Sequence, residues 1–400
     1  MDSRRKFIGR VASGIAGTLA VPSSVLGANE RVRVGVIGVG ERGAQLAREA
    51  LASGNTQLSG VADIYPRRLE MARAIFPSAK AHLDYRPLLD DRDIDAVVIA
   101  TPPHLHAEQL LAALEAGKHV YLEKTMALTV EEARRIRDAC GRASGRIVQI
   151  GHQACSSGLY DDALRFLAAG RMGGITAIHA HMYRNTPRGK PQWSRPVYPD
   201  MTPDRIAWDS FLGSAPRRVF DANRYVNWRF FWDYSGGNVS ESMSQQLAFW
   251  YKALDLQIPH TTSMLGGVHL WQDGREVPDT MSVAMEHGEG ILFSWDSGFG
   301  NNQLGTSEEV LGTHGTLSRG QQIRYLPQKV NLPDAVEALG QTKTSPNAHM
   351  QDFLECIRTG KAPNCPAEIG YRVSIACRMA VESYRQGRTV RWDPAREEIL

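Results

Sequence analysis

The sequence feature that most constrains the fold is the segment from Arg31 to Gly43, RVRVGVIGVGERG. Its apolar residues are typical of a buried strand, and Gly38, Gly40 and Gly43 have the spacing G-x-G-x-x-G. In this spacing the first glycine permits a tight turn, the second admits a pyrophosphate to the backbone, and the third lets a helix pack on the strand. A second strand-like run, LSGVAD, ends at Asp63, about twenty residues later, where a ribose hydroxyl would be bound. The segment therefore predicts a dinucleotide-binding site.

Strand-like and helix-like runs alternate through residues 31–150. The apolar run DAVVIAT is typical of a fully buried parallel strand. HAEQLLAALEAG is predicted to be a helix that ends at Gly117. TVEEARRIRDACGRA is predicted to be a helix with a capping box between Thr129 and Glu132. We therefore expect the α/β fold class, with a doubly wound parallel sheet of the Rossmann type in a domain over 31–150.

The pattern changes after Gly151, and 400 residues are too many for one ordinary core. A helical run and the strand-like ITAIHAHMYR are followed by a loop rich in Pro, Arg and Trp over about 186–227. Several strand-like runs separated by turns come next, which favours a large open, mainly antiparallel sheet. We expect a second α/β domain over 151–345 for substrate binding and oligomerisation. Two further helices over 346–400 are expected to return to the first domain.

Composition excludes several classes of partner. A net charge of +3 over 400 residues is too small to favour nucleic acid or an anionic membrane surface. No apolar run reaches the eighteen or more residues expected of a membrane span. The five cysteines are scattered without a C-x-x-C pair, so we interpret them as buried thiols. His104 and His106 lack the companions of a metal site, and no metal is expected.

The N-terminal segment suggests export. SRRKFI, residues 3–8, resembles a twin-arginine signal and is followed by a mildly apolar stretch with a plausible cleavage site near Ala28. We therefore expect residues 1–30 to be a signal peptide and the mature protein to be periplasmic. The alternative is a basic N-terminal segment without an export function.

Motifs along 31–395 resemble the glucose-fructose oxidoreductase/inositol dehydrogenase (Gfo/Idh/MocA) family. The segments that carry the resemblance are VGVIGVGERG, ADIYPRR, ATPPHLHAE, GKHVYLEKTM, WRFFWDYSGG and HMQDFLECIRTGKAP. The resemblance implies a Rossmann domain and an α/β domain whose open sheet commonly makes an oligomer contact, in a dimer or tetramer. It also implies NAD(P) and a sugar-like substrate in the cleft between the domains.

The resemblance also assigns cofactor-binding residues. These are Gly38, Gly40, Glu41, Arg42 and Gly43 at the pyrophosphate, Asp63 at the adenosine ribose, Thr101, Pro102 and His106 beside the dinucleotide, Glu123 and Lys124 at a strand end, and Gln153, Trp228 and Arg229 toward the nicotinamide. The Asp63 carboxylate favours NAD over NADP because it repels a 2′-phosphate, whereas Arg67 and Arg68 nearby leave NADP open.

The expected catalytic residues depart from the family pattern. Lys124 matches the lysine that reaches the nicotinamide ribose and the substrate hydroxyl, and a partly desolvated lysine has a lowered pKa suited to proton transfer. The usual Asp-x-x-x-His is replaced by Glu241 and Gln245, four residues apart on one helix face. Because glutamine cannot take up a proton near neutral pH, we expect Lys124 to handle the proton and the other two to orient the ring. His104 and His152 are alternative bases.

Polar and aromatic residues after ITAIHAHMYR are the candidates for substrate binding: Tyr183, Arg184, Asn185 and Trp193. Aromatic, Arg and Asn side chains suit a sugar, although an ordinary surface loop or oligomer arm has the same composition.

The sequence thus predicts an exported NAD(P)-dependent oxidoreductase that moves a hydride between a sugar or polyol carbinol carbon and nicotinamide. The alternatives are redox-neutral glycoside cleavage or epimerisation with the cofactor recycled on the enzyme, and a non-catalytic cofactor-binding protein.

Overall fold

The structure, a computed structural model, describes residues 31–187 and 189–400. The expected signal peptide, residues 1–30, lies outside the described residues, as does Arg188. Within the described part of the chain, no helix is both long enough and apolar enough to cross a membrane.

Six parallel strands form the N-terminal sheet, in the order β3-β2-β1-β4-β5-β6. The strands are β1 (Val32–Ile37), β2 (Thr56–Ala62), β3 (Lys80–His82), β4 (Ala96–Ile99), β5 (His119–Leu122) and β6 (Val148–Ile150). The Val and Ile residues of β1 and β4 are buried on both faces of the sheet, because helices cover each side. The doubly wound Rossmann architecture is confirmed, with its topological switch point between β1 and β4.

Five α-helices connect these strands: α1 (Glu41–Ala52), α2 (Pro66–Ile75), α3 (Arg86–Asp90), α4 (His106–Glu115) and α5 (Val130–Arg142). The predicted capping box at α5 is present, because the Thr129 hydroxyl accepts from Glu132 N and the Glu132 carboxylate accepts from Thr129 N. The stop after α4 is also confirmed, with Gly117 at φ +71°. Strand β3 and helix α3 could not be predicted from the sequence, because their runs are only three and five residues long.

Ten strands form the second sheet, in the order β14-β13-β12-β11-β7-β10-β9-β8-β15-β16. They are β7 (Ile175–Tyr183), β8 (Thr261–Gly267), β9 (Thr280–His287), β10 (Ile291–Gly298), β11 (Thr306–Gly312), β12 (Gly315–Arg319), β13 (Ile323–Pro327), β14 (Ala338–Leu339), β15 (Val390–Asp393) and β16 (Glu398–Ile399). Only the β7–β10 pair among these is parallel, which confirms the expected open, mainly antiparallel sheet. Strands β12–β16 were not assigned from the sequence.

The remaining α-helices are α6 (Gly158–Ala168), α7 (Trp208–Leu212), α8 (Ala222–Val226), α9 (Ser244–Leu254), α10 (Ala348–Thr359) and α11 (Ala367–Gln386). Burial alternates along β9, where Met281, Val283 and Met285 are buried and the residues between them are exposed. One sheet face therefore packs on the helices. Helix α10 crosses to the first domain, where Met350 and Phe353 join the core that contains β1.

A long segment that we call the strap, residues 189–231, leaves the second domain and passes over the carboxyl ends of the parallel strands. The Pro-, Arg- and Trp-rich composition predicts a loop over most of the strap, but the strap contains α7, α8 and a 3-10 turn, Trp228–Phe230. Phe211 and Tyr225 of the strap pack with Tyr65, which follows β2. The strap thereby roofs the edge of the sheet at which ligands bind in such folds.

Candidate active site

A cavity of about 790 Å³ lies between the carboxyl edge of the parallel sheet and the strap. The predicted site residues that line it are Gly38, Gly40, Glu41, Arg42, Asp63, Thr101, Pro102, Trp193, Trp228, Arg229 and Glu241. Those that do not line it are Gly43, His106, Glu123, Lys124, Gln153, Tyr183, Arg184, Asn185 and Gln245. The cavity runs from the glycine-rich turn to Glu241, so the two ends of the predicted site belong to one space.

The glycine-rich turn has the backbone that a pyrophosphate requires. Gly38 has φ +84°, and a Cβ at Gly43 would lie 1.9 Å from the Gly38 oxygen, so each position requires glycine. A Cβ at Gly40 would meet its nearest neighbour, the Arg68 guanidinium, only at 3.8 Å, which leaves open space above the backbone. The first N–H groups of α1, which begins at Glu41, face this space. The turn therefore fits the pyrophosphate of a dinucleotide.

Asp63 lies at the end of β2 and holds the glycine-rich turn. Its Oδ2 accepts from Val39 N at 3.0 Å, and its Oδ1 accepts from Tyr65 N at 3.1 Å. Arg68 Nη1 is 3.7 Å from Oδ2. Burial raises the pKa of the Asp63 carboxyl, and the Arg68 charge only partly offsets this. The Asp63 carboxylate, which favours a ribose diol, thus lies beside the Arg68 guanidinium, which favours a 2′-phosphate.

Arg42 lines the cavity and is held from behind by Glu123. Its Nε and Nη2 both lie 2.8 Å from Glu123 Oε1, and Glu49 is 3.7 Å away. Glu123 is only 6 % exposed. In this arrangement Glu123 positions Arg42 and does not itself face the cavity.

His106 is fully buried beneath the cavity and joins two loops. Its Nε2 is 2.9 Å from the Thr101 oxygen after β4, and its Nδ1 is 3.0 Å from the Thr125 oxygen after β5. Burial lowers the pKa of His106, although the two carbonyl groups oppose this. A neutral imidazole donates one hydrogen bond, so one contact at a time is a donated bond. His106 therefore joins the loops after β4 and β5, and it does not itself line the cavity.

Three charged side chains meet at the far end of the cavity. Lys124 Nζ lies 3.0 Å from both the main-chain oxygen and Oε2 of Glu241, and Arg229 Nε lies 3.2 Å from the same Oε2. Burial alone would raise the pKa of Glu241, but Arg229 and Lys124 outweigh it and lower the pKa to about 2. Glu241 is therefore a carboxylate at every working pH, and it holds Lys124 as a hydrogen-bond donor beside the cavity.

The helix that carries Glu241 departs from α-helical geometry. Val239–Met243 forms a π-helical turn, and α9 begins only at Ser244. A π turn holds more residues per turn than an α turn, and of the two predicted residues only Glu241 lines the cavity. Gln245 is half-buried, lies outside the cavity lining and makes no side-chain hydrogen bond to another described residue. Its proposed role in orienting substrate stays a prediction.

The two alternative bases are buried and neutral. His104 Nε2 is 2.6 Å from the Phe211 oxygen, and the ring packs against Phe211 and Tyr234, so burial lowers its pKa to about 4. His152 is fully buried with neither ring nitrogen hydrogen-bonded to a described residue, and burial, followed by the Lys124 charge, lowers its pKa to about 3. At neutral pH a group with so low a pKa is a weak base.

Of the four predicted substrate residues, only Trp193 lines the cavity, and Arg184 is connected to it. Arg184 follows β7, and its Nη2 lies 3.3 Å from Met182 Sδ. In the amide orientation that satisfies its neighbours, the Gln192 oxygen accepts from Arg184 Nη1 at 2.8 Å and from Trp193 Nε1 at 3.2 Å. Gln192 thereby connects Arg184 to the cavity wall at Trp193.

The remaining substrate candidates, Tyr183 and Asn185, and the predicted cofactor residue Gln153 lie outside the cavity lining. Tyr183 stacks at a tilt near His181 on β7, and the exposed Asn185 pairs through its backbone with Gly300. Gln153 begins a 3-10 turn after β6. Within the described residues no group of three His, Cys, Asp or Glu side chains is arranged for a metal ion, and the five cysteines are free thiols, four of them buried.

The contacts between the strap and the first domain beside the cavity could not be predicted from the sequence. Arg195 forms an ion pair with Glu41 at the start of α1, and Arg67 pairs with Asp200 at 3.3 Å and lies over the Tyr198 ring. These contacts join segments more than a hundred residues apart in the chain. No periodicity or spacing in the sequence could have indicated them.

Comparison with known proteins agrees with this architecture. The model of the oxidoreductase family with an NAD-binding Rossmann fold (Gfo/Idh/MocA) matches residues 32–152, and that of its C-terminal alpha/beta domain matches residues 214–391. Among solved structures, levoglucosan dehydrogenase in complex with NADH and levoglucosan superposes with a TM-score of 0.70 at 19 % identity, covering 90 % of this chain and 99 % of that one. At this identity the likeness shows the fold alone.

Two curated relatives are similar in sequence. The 1-carboxy-3-chloro-3,4-dihydroxycyclohexa-1,5-diene dehydrogenase of Comamonas testosteroni is 27 % identical over 76 % of this chain and 67 % of its own length. Inositol 2-dehydrogenase 2 of Saccharopolyspora erythraea is 34 % identical over 38 % of this chain, and the match spans less than half of that protein, 45 %. The family matches cover both domains in order, and the chain belongs to the Gfo/Idh/MocA family of oxidoreductases.

Proposed function

We propose that the protein is an NAD(P)-dependent oxidoreductase that acts on a CH–OH group of a sugar or polyol. The observation that carries this proposal is the Lys124–Glu241–Arg229 cluster, which lies at the end of the cavity that begins at the glycine-rich turn. Inositol 2-dehydrogenase and levoglucosan dehydrogenase, by their names, act on a polyol and an anhydrosugar. The cofactor supplies a nicotinamide C4 that accepts or returns the hydride.

The protein's own groups handle binding and the proton. Lys124 does not line the cavity itself but lies beside Glu241, which does, and its N–H groups would donate to an oxygen of a substrate bound at that end. Oxidation of a hydroxyl releases one proton and reduction of a carbonyl consumes one, and Lys124 is the group placed to exchange it. Glu241 holds the lysine and Arg229 fixes Glu241. Trp193 and Trp228 of the strap line the cavity and offer apolar rings to a bound ligand.

For the cofactor we propose NAD in preference to NADP. Asp63 supports this because its buried carboxylate lies where the adenosine ribose binds in such folds. Arg68, 3.7 Å away, is the feature in favour of NADP. Native mass spectrometry of protein purified without added nucleotide, followed by titration with each dinucleotide, distinguishes the two.

A panel of sugars and polyols, followed by NADH absorbance at 340 nm, tests the proposed reaction. Turnover by the parent protein, together with loss of turnover but retained NAD binding in Lys124→Ala, is the expected result. A parent protein that binds NAD tightly and converts no member of the panel would favour the non-catalytic alternative. Full activity in Lys124→Ala would overturn the mechanism.

Redox-neutral chemistry is a second candidate, favoured by the strap. The Arg195–Glu41 and Arg67–Asp200 ion pairs join the strap to the first domain beside the cavity. A strap held in this position would slow cofactor exchange. Oxidation of a hydroxyl to a ketone would acidify the neighbouring C–H, which permits elimination of a glycoside or epimerisation before the hydride returns. Product formed by protein without added NAD, with no accumulation of NADH, would identify this reaction. Steady accumulation of NADH over many turnovers would identify an exchanging dehydrogenase.

We also propose export by the twin-arginine route and assembly into a homo-oligomer. The motif in residues 3–8 supports export, and replacing Arg4 and Arg5 by Lys should retain the protein in the cytoplasm. The open face of the second sheet, which commonly makes an oligomer contact in this family, supports assembly, and Leu265 on that sheet is 78 % exposed. Light scattering should show a dimer or tetramer that Leu265→Lys weakens, and a monomeric parent would contradict this.

A further inference from the structure

The charges at the substrate end of the cavity do not balance. Among the described residues, Lys124 and Arg229 both contact Glu241, and Arg184 is within electrostatic reach of the same carboxylate. Three cations therefore share one anion. The other carboxylates in or near the cavity, Glu123, Asp63 and Glu41, are each paired with an arginine of their own. Partly buried cations in excess are costly unless a ligand supplies the missing negative charge.

Arg229 has the free hydrogen-bonding groups that an anion needs. Its guanidinium lies over the Trp228 ring at 4.1 Å, a stacking that leaves the edges of the guanidinium open. The 3.2 Å contact between its Nε and Glu241 is too poorly aligned to count as a hydrogen bond, and the buried Nε has no hydrogen-bond acceptor among the described residues. None of its other N–H groups donates to a described residue either, although Arg229 lines the cavity.

Arg184 approaches the same region from the second domain. It follows β7, and among the described residues the hydrogen-bond partners of its side chain are the Met182 sulfur and the Gln192 amide, which are both uncharged. Gln192 in turn contacts Trp193 on the cavity wall. Arg229 therefore lines the cavity on the side of the strap, and Arg184 lies just behind the wall at Trp193, on the side of the second sheet.

We propose that the substrate carries an anionic group, as a sugar acid or sugar phosphate does, and that Arg229 together with Arg184 binds it while Lys124 handles the carbinol oxygen. This inference rests on the proposed function and names its substrate class. A guanidinium donates two parallel hydrogen bonds to a carboxylate or to a phosphate, and such charge-assisted bonds are about twice as strong as neutral ones. A neutral sugar would leave both charges unmatched.

The test compares matched substrates on the full-length protein with NAD. The panel takes the gluco, galacto and manno configurations, each as the neutral hexose, the hexuronate and the hexose 6-phosphate, so that the last two arms separate a carboxylate from a phosphate. We expect one anionic arm to exceed its neutral partner in kcat/KM by at least about tenfold, as one charge-assisted contact provides. A neutral hexose that equals or exceeds its anionic partners overturns the inference and leaves the proposed function intact.

Variants locate the anion site. In Arg184→Gln and Arg229→Gln the ratio of kcat/KM for the anionic substrate to kcat/KM for the neutral hexose should fall by about tenfold or more, whatever the effect of each variant on the overall rate. The control is Arg217→Gln, an exposed strap arginine paired with Asp209, which should leave this ratio unchanged. Equal losses for neutral and anionic substrates, or a loss of NAD affinity in place of discrimination, would assign these arginines to the cofactor and overturn the inference.

A binding measurement separates this inference from the proposed reaction. If no member of the panel is converted, the proposed function fails, but the melting temperature of the NAD complex still reports binding. An anionic sugar should raise it in the parent protein and in Arg217→Gln, and not in Arg184→Gln. Shifts that are equal for neutral and anionic sugars, or absent for both, overturn the inference.

Discussion

The amine of Lys124, at the end of a strand of the first domain, lies 3.0 Å from the carboxylate of Glu241, at the start of a helix of the second domain. The lysine is thus held across the domain boundary. Neither domain alone contains the pair, so the catalytic arrangement depends on the two domains being docked. Helix α10, which packs on the first domain, and the strap are the elements that dock them.

Replacing Glu241 by Gln should release Lys124 and Arg229 from their common partner. Because both cations would then repel each other without a carboxylate between them, we expect kcat to fall by about a hundredfold, the size of a misplaced proton-transfer group. NAD binding should change little. The control is Glu309→Gln, an exposed position on β11. Unchanged kcat in Glu241→Gln would show that the ion pair does not position the lysine.

The same substitution should change the response of stability to acid. The pKa of Glu241 is about 2 in the fold, below its ordinary value of 4.5, so its contribution to stability is complete above pH 4.5 and is lost as pH falls toward 2. The full contribution is about 3 kcal/mol, at roughly 1.4 kcal/mol per unit of pKa shift. Urea unfolding at pH 7 and pH 3 should show a smaller difference for Glu241→Gln than for the parent.

Local sequence determined the first domain but only part of the site. The turn at Gly38, the capping box at Thr129 and the position of Asp63 follow from residues within a few turns of each other, and each could be predicted. The π-helical turn around Glu241 could not, because the i, i+4 rule presumes α-helical geometry. The strap contacts, such as Arg195 with Glu41, depend on tertiary packing and leave no periodic signal.

Asp63→Ala tests the choice of cofactor. The substitution removes the hydrogen bond to Val39 N as well as the group expected at the ribose. We expect NAD affinity to fall by about 1.5–3 kcal/mol, as for a hydrogen bond to a charged group, and the preference over NADP to narrow because Arg68 remains. Fluorescence titration with NADH and NADPH measures both. Unchanged affinities for both would remove the basis for proposing NAD.

His106→Ala tests whether one buried side chain joins cofactor binding to catalysis. It would leave the Thr101 and Thr125 oxygens without their partner, a cost of about 1–3 kcal/mol for a buried acceptor. Because one loop lines the cofactor cavity and the other follows Lys124, NAD affinity and kcat should both fall. His106→Asn, which can keep one contact, should lie between. A fall in stability with unchanged NAD affinity and kcat in the folded protein would contradict the coupling.

Stability as a whole should fall steeply in mild acid because several histidines are buried in the neutral form. Burial lowers the pKa of His104, His287 and His349 to about 4 and that of His152 to about 3. Each pKa is below the unfolded value of about 6.5, so the unfolded chain takes up protons first. The stability these groups contribute is therefore present above pH 6.5 and is lost as pH falls toward 4.

Each such histidine should contribute about 1.4 kcal/mol per pH unit to the slope of unfolding free energy between pH 6.5 and 4.5. The matched variants are His287→Gln, which can keep the contact with the Tyr251 hydroxyl at 2.9 Å, and His269→Gln at an exposed position. Urea unfolding at pH 7.5, 6 and 5 should show a shallower slope in the first variant and the parent slope in the second. A parent protein whose stability is flat over this range would show that these rings become protonated without opening the fold.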